Sequence, residues 1–263
     1  MSLLFRISAI VAALLAVLAC GAGPATAAST ERATLHASFS PDRLGASTTI
    51  SFGFHVETTE GTAPPPMTKL DLRMPAGISY TTTTLGLAIC QPAALQASGL
   101  AGCPPNSRLG FGSALAEVPF GTGAGHEIPE IQAVAGPSPN GNLVVLFYAN
   151  GTFPVSAQLV FQGEVLSASS PYGTQLTATV PPVPSVPGGS DVSIVSVNTT
   201  IGPSHLTYYK HVHGKKVAFH PKGVSVPERC PRGGFPFAAE FTFQDGSQAS
   251  AQVAVPCPPQ RHR

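Results

Sequence analysis

Residues 230–257, between the last two cysteines, constrain the fold of this chain more than any other segment. Apolar residues occupy alternate positions on both sides of Asp245-Gly246, which predicts two antiparallel strands joined by a tight turn. A two-residue loop would place the apolar face of one strand against the polar face of the other. We therefore predict a three-residue loop of Gln244, Asp245 and Gly246, with Gly246 in the left-handed conformation of a bulge.

This register also predicts how the open end of the hairpin is held. It pairs Phe241 with Ala249 and, continued outward, places Cys257 opposite Gly233 and close to Cys230. A disulfide between Cys230 and Cys257 would then join the two strands.

Four cysteines follow the predicted signal peptide of residues 1–27, an even number that is typical of exported, disulfide-bonded proteins. Three connectivities are open, and the local spacing favours Cys90 with Cys103 and Cys230 with Cys257. Metal coordination is an alternative with little support, because there is no CxxC pair and no Cys/His set at zinc-finger spacing.

The N-terminal residues predict export. Arg6 precedes an apolar run over residues 7–19, which is too short for a membrane span, and the small-residue site 25–27 follows, as in a secretory signal peptide. An alternative is lipidation of Cys20, because the preceding residues resemble a bacterial lipobox. A diacylglycerol adduct on Cys20 in the intact mass of the exported protein would decide for this alternative.

Composition favours a turn-rich β protein. Charged residues make up 10% of the chain, where about 25% is usual, and Gly and Pro contribute 27 residues each. Hydrophobic residues reach 43%, which argues against disorder. Cleavage of the signal peptide would remove one of 14 basic residues and none of 13 acidic ones, and nothing in this balance indicates nucleic-acid binding.

Short apolar runs separated by Gly, Pro and Asn predict most of the strands. The run 142–149 is apolar at every position after Asn142, which predicts a central strand covered on both faces. The only predicted helix is 92–97, with Pro92 at its first position and Gly99 at its end. Besides the C-terminal hairpin, strands are predicted at 33–39, 48–56, 69–74, 109–118, 130–135, 142–149, 155–166, 175–180 and 192–201.

The predicted fold class is an all-β, antiparallel β-sandwich, immunoglobulin-like or jelly-roll-like, with two local disulfides. Residues 1–27 are the predicted signal peptide, 28–258 a single sandwich domain and 259–263 a polar tail. The Pro-rich segment at 181–190 leaves open a division into two domains at that point.

Residues 208–222 contain four of the five lysines and no acidic residue, and His213-Gly214 predicts a hairpin turn within them. A solvated hairpin end is the simplest interpretation. The functional hypothesis is a patch that binds an anionic cell-envelope polymer or glycan. Its residues would be Lys210, His211, His213, Lys215 and Lys216. A further alternative is a metal site of His211, His213 and His220.

No catalytic motif is evident, since GxSxG, HExxH, phosphate-loop and dinucleotide-binding patterns are all missing. The sequence therefore predicts no catalytic, cofactor-binding or metal residue. A hydrolase would require two carboxylates to meet in space, for example two of Asp71, Glu117 and Glu164.

Two segments are similar to a known group of proteins. One reads CPPNSRLG from Cys103, and the other reads CPRGGFPFAAEFTFQDG from Cys230 and closes with PCP. With these CPxxSxxG and CPxGG…DG…PC segments, the chain resembles uncharacterised exported β-rich proteins of high-GC Gram-positive bacteria. The resemblance implies export and a β-rich fold, and it assigns no site residue.

The leading functional hypothesis is a secreted or cell-envelope-associated, non-enzymatic interaction module of structural or adhesion type. A glycan- or lipid-binding module is the first alternative, which an aromatic-lined groove would favour, and an extracellular hydrolase is the second. The expected partner is an anionic envelope polymer or glycan, and membrane attachment is expected only through a lipidated Cys20.

Overall fold

The computed structural model describes residues 31–80, 88–154, 156–202, 206–221 and 223–259. The predicted signal peptide, Cys20 and all but the first residue of the predicted tail lie outside the described residues. The strands, in chain order, are β1 (Glu31–Ser40), β2 (Ser47–Thr58), β3 (Met67–Pro75), β4 (Ser79–Tyr80), β5 (Arg108–Phe120), β6 (Gly123–Glu127), β7 (Glu130–Ala135), β8 (Leu143–Gly151), β9 (Ala157–Ser167), β10 (Tyr172–Thr179), β11 (Ser193–Ile201), β12 (Tyr208–Val212), β13 (Lys215–Phe219), β14 (Val224–Ser225), β15 (Phe235–Phe243) and β16 (Gln248–Val255). The helix α1 spans Pro92–Ser98, and two 3₁₀ turns span Gly99–Gly102 and Pro105–Ser107.

Most of these strands form one antiparallel sheet. Its order is β16-β15-β3-β10-β9-β8-β7-β5-β11-β2-β14-β4, with β1 paired to β2 and β6 paired to β5. Strands β12 and β13 form a separate two-stranded ribbon. The predicted all-β, antiparallel class with two local disulfides is confirmed.

The sheet folds back on itself around one core. Phe54 on β2 and Phe241 on β15 lie far apart in the strand order, yet their ring centroids are 4.8 Å apart. Phe39 on β1 likewise packs edge-on against Phe235 on β15, at 5.4 Å. Both layers of the sandwich therefore belong to a single continuous sheet, and the inward-facing rows of its strands fill the space between them.

Strand β8 is covered on both faces, as the sequence predicts. Phe147 faces the main core, whereas Leu146 faces a second, smaller cluster. That cluster contains Leu95 of α1 and the disulfide-bonded Cys90 and Cys103. The short helix and its disulfide thus cover the outer face of the central strand.

The predicted C-terminal hairpin is confirmed in register and in turn. Phe241 pairs with Ala249, and Gly246 adopts a φ of +86°, the left-handed value that a bulge requires. Cys230 and Cys257 form the predicted disulfide across its open end.

Strand β6 has no counterpart among the predicted strands, because its Gly-rich sequence lacks apolar alternation. The segment 181–190 connects β10 to β11, and the strands on both sides of it belong to the same sheet and contact the same core. Strand β9 begins at Ala157, two residues after the predicted start.

Candidate functional site

A cavity of about 150 Å³ lies inside the fold. Four aromatic rings contribute to its wall, and most of the remaining wall is aliphatic. The rings belong to Phe52, Phe54, Phe147 and Phe161. Phe161 and Leu159 point into the core but are only half-buried, because the cavity leaves their inner surfaces uncovered.

Small residues at inward-facing positions create this space. Neighbouring strands place Ala or Gly at several positions around the cavity. These residues are Ala114, Ala116, Ala149, Gly151, Ala157 and Ala178. Because packed interiors leave few voids larger than a water molecule, such a concentration of small side chains around one space is unusual.

The Pro-rich connection between β10 and β11 forms part of the cavity wall through Pro181, Pro182 and Val183. This connection folds back on itself, since the N–H of Val192 donates to the carbonyl of Val183 over 2.8 Å. The side chain of Gln244, in the turn of the C-terminal hairpin, donates to Asp191 at 2.9 Å and so ties the connection to the hairpin turn.

Glu127 is the only ionisable side chain among the described residues that line the cavity. It lies at the end of β6 opposite Ala116, whose small side chain leaves room for an inward-facing glutamate. Glu127 is 7% exposed, and its Oε1 has no hydrogen-bond partner in the described part of the chain. That oxygen packs against Gly151, where any Cβ would overlap it.

The environment of Glu127 affects its ionisation. Burial raises the pKa of the Glu127 carboxyl, and the backbone N–H groups of Phe153 and Thr152, which hydrogen-bond to it, oppose this effect only in part. A buried carboxyl oxygen without a donor is costly, so the site favours any molecule that supplies one.

A second cavity of about 50 Å³ lies beside the first. The two share Phe52, Phe147 and Leu176 as walls. Tyr80 lines the second cavity, where burial raises the pKa of its hydroxyl to about 12 and the hydroxyl donates to the sulfur of Met74 over 2.8 Å. The apolar interior therefore continues beyond the first cavity.

The basic segment forms the β12–β13 ribbon, with the predicted turn at His213 and Gly214. The pairing places Lys210 and Lys215 on one face of the ribbon. Lys216 lies on the opposite face together with His211. All five residues of the predicted patch are exposed, but they do not share one surface.

The base of the ribbon is attached to the rest of the protein. The side-chain amide of Asn106 donates to the carbonyl of Tyr209 at 2.6 Å and accepts from its N–H at 2.9 Å. The buried Tyr208 hydroxyl donates to the carbonyl of Arg108. On the exposed part of the ribbon, the Lys216 ammonium lies 4.1 Å from the centroid of the Tyr209 ring.

The structure also locates the residues of the alternative metal site and of the carboxylate pair. Within the described ranges no three His, Cys, Asp or Glu side chains converge to hold a metal ion. Asp71 and Glu164 lie two strands apart, on either side of Thr177. Glu117 lies 3.8 Å from His126 on another part of the sheet. None of these three carboxylates lines the cavity.

Asp71 and Glu164 have hydrogen-bond partners on the sheet. Burial alone would raise the pKa of Asp71, but hydrogen bonds from Lys69, Thr177 and Gln175 bring it below its usual value. Glu164 accepts a hydrogen bond of 2.7 Å from the Asn142 side chain.

Comparison of this chain with protein-family models, with curated proteins and with solved structures finds no match. Among the helices of the described residues, none has the length and apolar character needed to cross a membrane. The assignment of a site therefore depends on the geometry of the fold.

Sequence reasoning missed both the cavity and Glu127. One signal was available, because Glu127 occupies an inward position next to Ile128-Pro129, at the end of a strand whose partner carries Ala114 and Ala116 at inward positions. This signal becomes readable only when the pairing of the two strands is known.

Proposed function

We propose that this protein binds a small apolar ligand in its interior cavity, which is the lipid-type alternative raised by the sequence. The observation that carries the proposal is a partly open cavity of about 150 Å³ with four phenyl rings in its wall. An apolar cavity of roughly this size in another protein binds benzene. Apolar lining with very few polar groups is also typical of small-molecule sites.

Two exposed apolar side chains lie next to the cavity wall. Ile128, beside Glu127, is 72% exposed, and Phe153, which hydrogen-bonds to Glu127 through its backbone, is 78% exposed.

We also propose that the protein acts outside the cytoplasm, free or attached to the envelope. The two disulfides are typical of an oxidising compartment, and the signal-like N-terminus and the resemblance to exported proteins agree with that location. Tryptic peptides of this chain in the culture medium or envelope fraction of the producing cells, and not in the cytosol, would test it.

Filling the cavity is expected to abolish binding. In Ala149→Leu the larger side chain occupies part of the space, so the affinity for 4-fluorotoluene should fall at least tenfold, or about 1.4 kcal/mol. Fluorine NMR of 4-fluorotoluene titrated with the protein measures this affinity. The melting temperature should stay the same or rise, because filling a void adds contacts.

The matched control is Ala254→Leu, the same change on the exposed face of β16. It should bind 4-fluorotoluene like the unmodified protein. If the unmodified protein does not bind the probe, or if Ala149→Leu binds it equally well, the proposal is wrong.

The β12–β13 ribbon favours a second function, binding of an anionic envelope polymer. The ribbon projects exposed lysines on both faces, and on each face a lysine ammonium lies over an aromatic ring, Lys216 over Tyr209 and Lys210 over Phe219. A flexible polyanion can wrap around the ribbon and contact the cations on both faces, whereas a flat anionic surface can contact only one face.

Loss of these lysines should weaken binding to isolated cell-envelope material. The triple change Lys210→Ala, Lys215→Ala and Lys216→Ala is expected to reduce binding about tenfold at low salt, because each exposed ion pair contributes up to roughly 1 kcal/mol. Sedimentation of the protein with the envelope material at 20–150 mM salt, roughly the range over which screening grows, measures this effect.

A charge-matched control replaces three exposed arginines, which changes the net charge equally. These are Arg43, Arg229 and Arg232. If both triple variants lose the same amount of binding, the attraction is general and the ribbon is not a site.

A further inference from the structure

Binding of a purely apolar ligand does not explain why a glutamate, Glu127, lies in the cavity wall. A glutamate in an apolar wall carries a desolvation cost, and this one leaves its Oε1 without a donor in the described part of the chain. Buried polar side chains normally have a hydrogen-bond partner, and an exception calls for an explanation. A donor supplied by the bound ligand would provide that partner.

We propose that Glu127 binds the polar end of the ligand, and that the ligand is a small apolar molecule with one hydrogen-bond donor, either a hydroxyl or an ammonium group. This inference rests on the proposed function, and it adds the chemical class of the ligand. The apolar part of the ligand would lie against the four phenyl rings, and its donor would meet the carboxylate at the wall formed by β6 and β8.

One torsion of Glu127 can bring about this contact. Oε1 lies against Gly151, where the missing side chain gives the carboxyl group room. The last torsion of a glutamate is broad, so a rotation of the carboxyl group can turn Oε1 away from Gly151. Both oxygens turn together, so the rotation also changes the hydrogen bonds from the backbone N–H groups of Thr152 and Phe153.

Four probes with the same ring separate the contributions of shape and polarity. Benzyl alcohol carries a neutral donor, benzylamine a cationic donor, toluene no polar group and benzoate an anionic group. With the unmodified protein at pH 7 we expect benzyl alcohol or benzylamine to bind about tenfold more tightly than toluene, because a hydrogen bond to a charged group is stronger than a neutral one. Benzoate should bind most weakly.

Replacement of Glu127 should remove the preference without removing the cavity. In Glu127→Met, toluene is expected to bind as tightly as before or more tightly, and the advantage of the donor probes should disappear. Glu127→Gln keeps the size of the side chain and an acceptor oxygen, and it should reduce the preference for benzylamine more than that for benzyl alcohol. The matched control is Glu117→Met on the neighbouring strand, outside the cavity.

The outcomes are separable by isothermal titration calorimetry. A donor preference that is lost in Glu127→Met and kept in Glu117→Met supports the inference, and which donor binds more tightly identifies the class as alcohol or amine. Equal binding of all four probes, unchanged in the Glu127 variants, overturns the role of Glu127 and leaves apolar binding standing. No binding of any probe, including toluene, overturns the proposed function and this inference together.

Discussion

Replacing Phe241 with Ala is expected to lower the free energy of unfolding by about 4 kcal/mol, because a fully buried phenyl ring leaves a cavity that the surrounding sheet cannot close. Phe241 is 0% exposed and lies 4.8 Å from the ring of Phe54, on a strand at the other end of the sheet order. The lost ring therefore weakens the contact between the two layers. Urea unfolding with the disulfides intact measures the change.

A control and a coupling measurement make this prediction specific. Phe153→Ala removes the same side chain from a position that is 78% exposed and should change stability by less than about 0.5 kcal/mol. A double-mutant cycle of Phe54→Leu and Phe241→Leu should show a coupling of about 1 kcal/mol, as found for aromatic pairs. Additive effects would show that the two layers do not meet at these rings.

The C-terminal hairpin could be predicted from the sequence because its turn and its register depend on residues close together in the chain. The alternation of Phe237, Phe241 and Val253 sets the inward face, and Gly246 permits the left-handed residue of the turn. The position of Cys257 then follows from the register. The same reasoning predicted the continuous apolar strand β8 and the short helix that begins at Pro92.

The cavity could not be predicted in this way, because its wall combines strands that are distant in sequence. Ala116, Ala149 and Ala178 are ordinary residues within their own strands, and they create a space only because the folded sheet brings them together. The orientation of Glu127 likewise depends on its pairing with Ala116, and its Gly-rich strand gives no periodic signal. Sequence periodicity determines which face a residue occupies, but not what lies across the core from it.

The charge pattern of the basic segment predicts a charged hairpin, but not the face of the ribbon on which each side chain lies. The turn at His213 and Gly214 follows from local chemistry. The strand pairing places Lys210 and Lys216 on opposite faces of the ribbon. A partner for this ribbon must therefore contact both faces or select one of them.

Opening the C-terminal disulfide is expected to cost about 3 to 4 kcal/mol of stability. Cys230 and Cys257 enclose a segment with a sequence separation of 27, and the bond restricts the unfolded chain accordingly. Cys257 is exposed and Cys230 half-buried, so changing both to Ser removes little packing and the effect acts mainly on the unfolded state. Thermal and urea unfolding of the double variant measure the loss.

The same variant separates stability from binding. No described residue of β15 or β16 lines the cavity, so the folded fraction of Cys230→Ser/Cys257→Ser should bind 4-fluorotoluene with the affinity of the unmodified protein. The corresponding double variant of Cys90 and Cys103 serves as the comparison. The sulfurs of this pair lie in a buried cluster, so replacing them removes packing in addition to the cross-link. If removing the C-terminal disulfide lowers the free energy of unfolding by less than about 1 kcal/mol, the chain-entropy explanation is wrong. The three-residue turn and the strand pairing would then be enough to hold the hairpin closed.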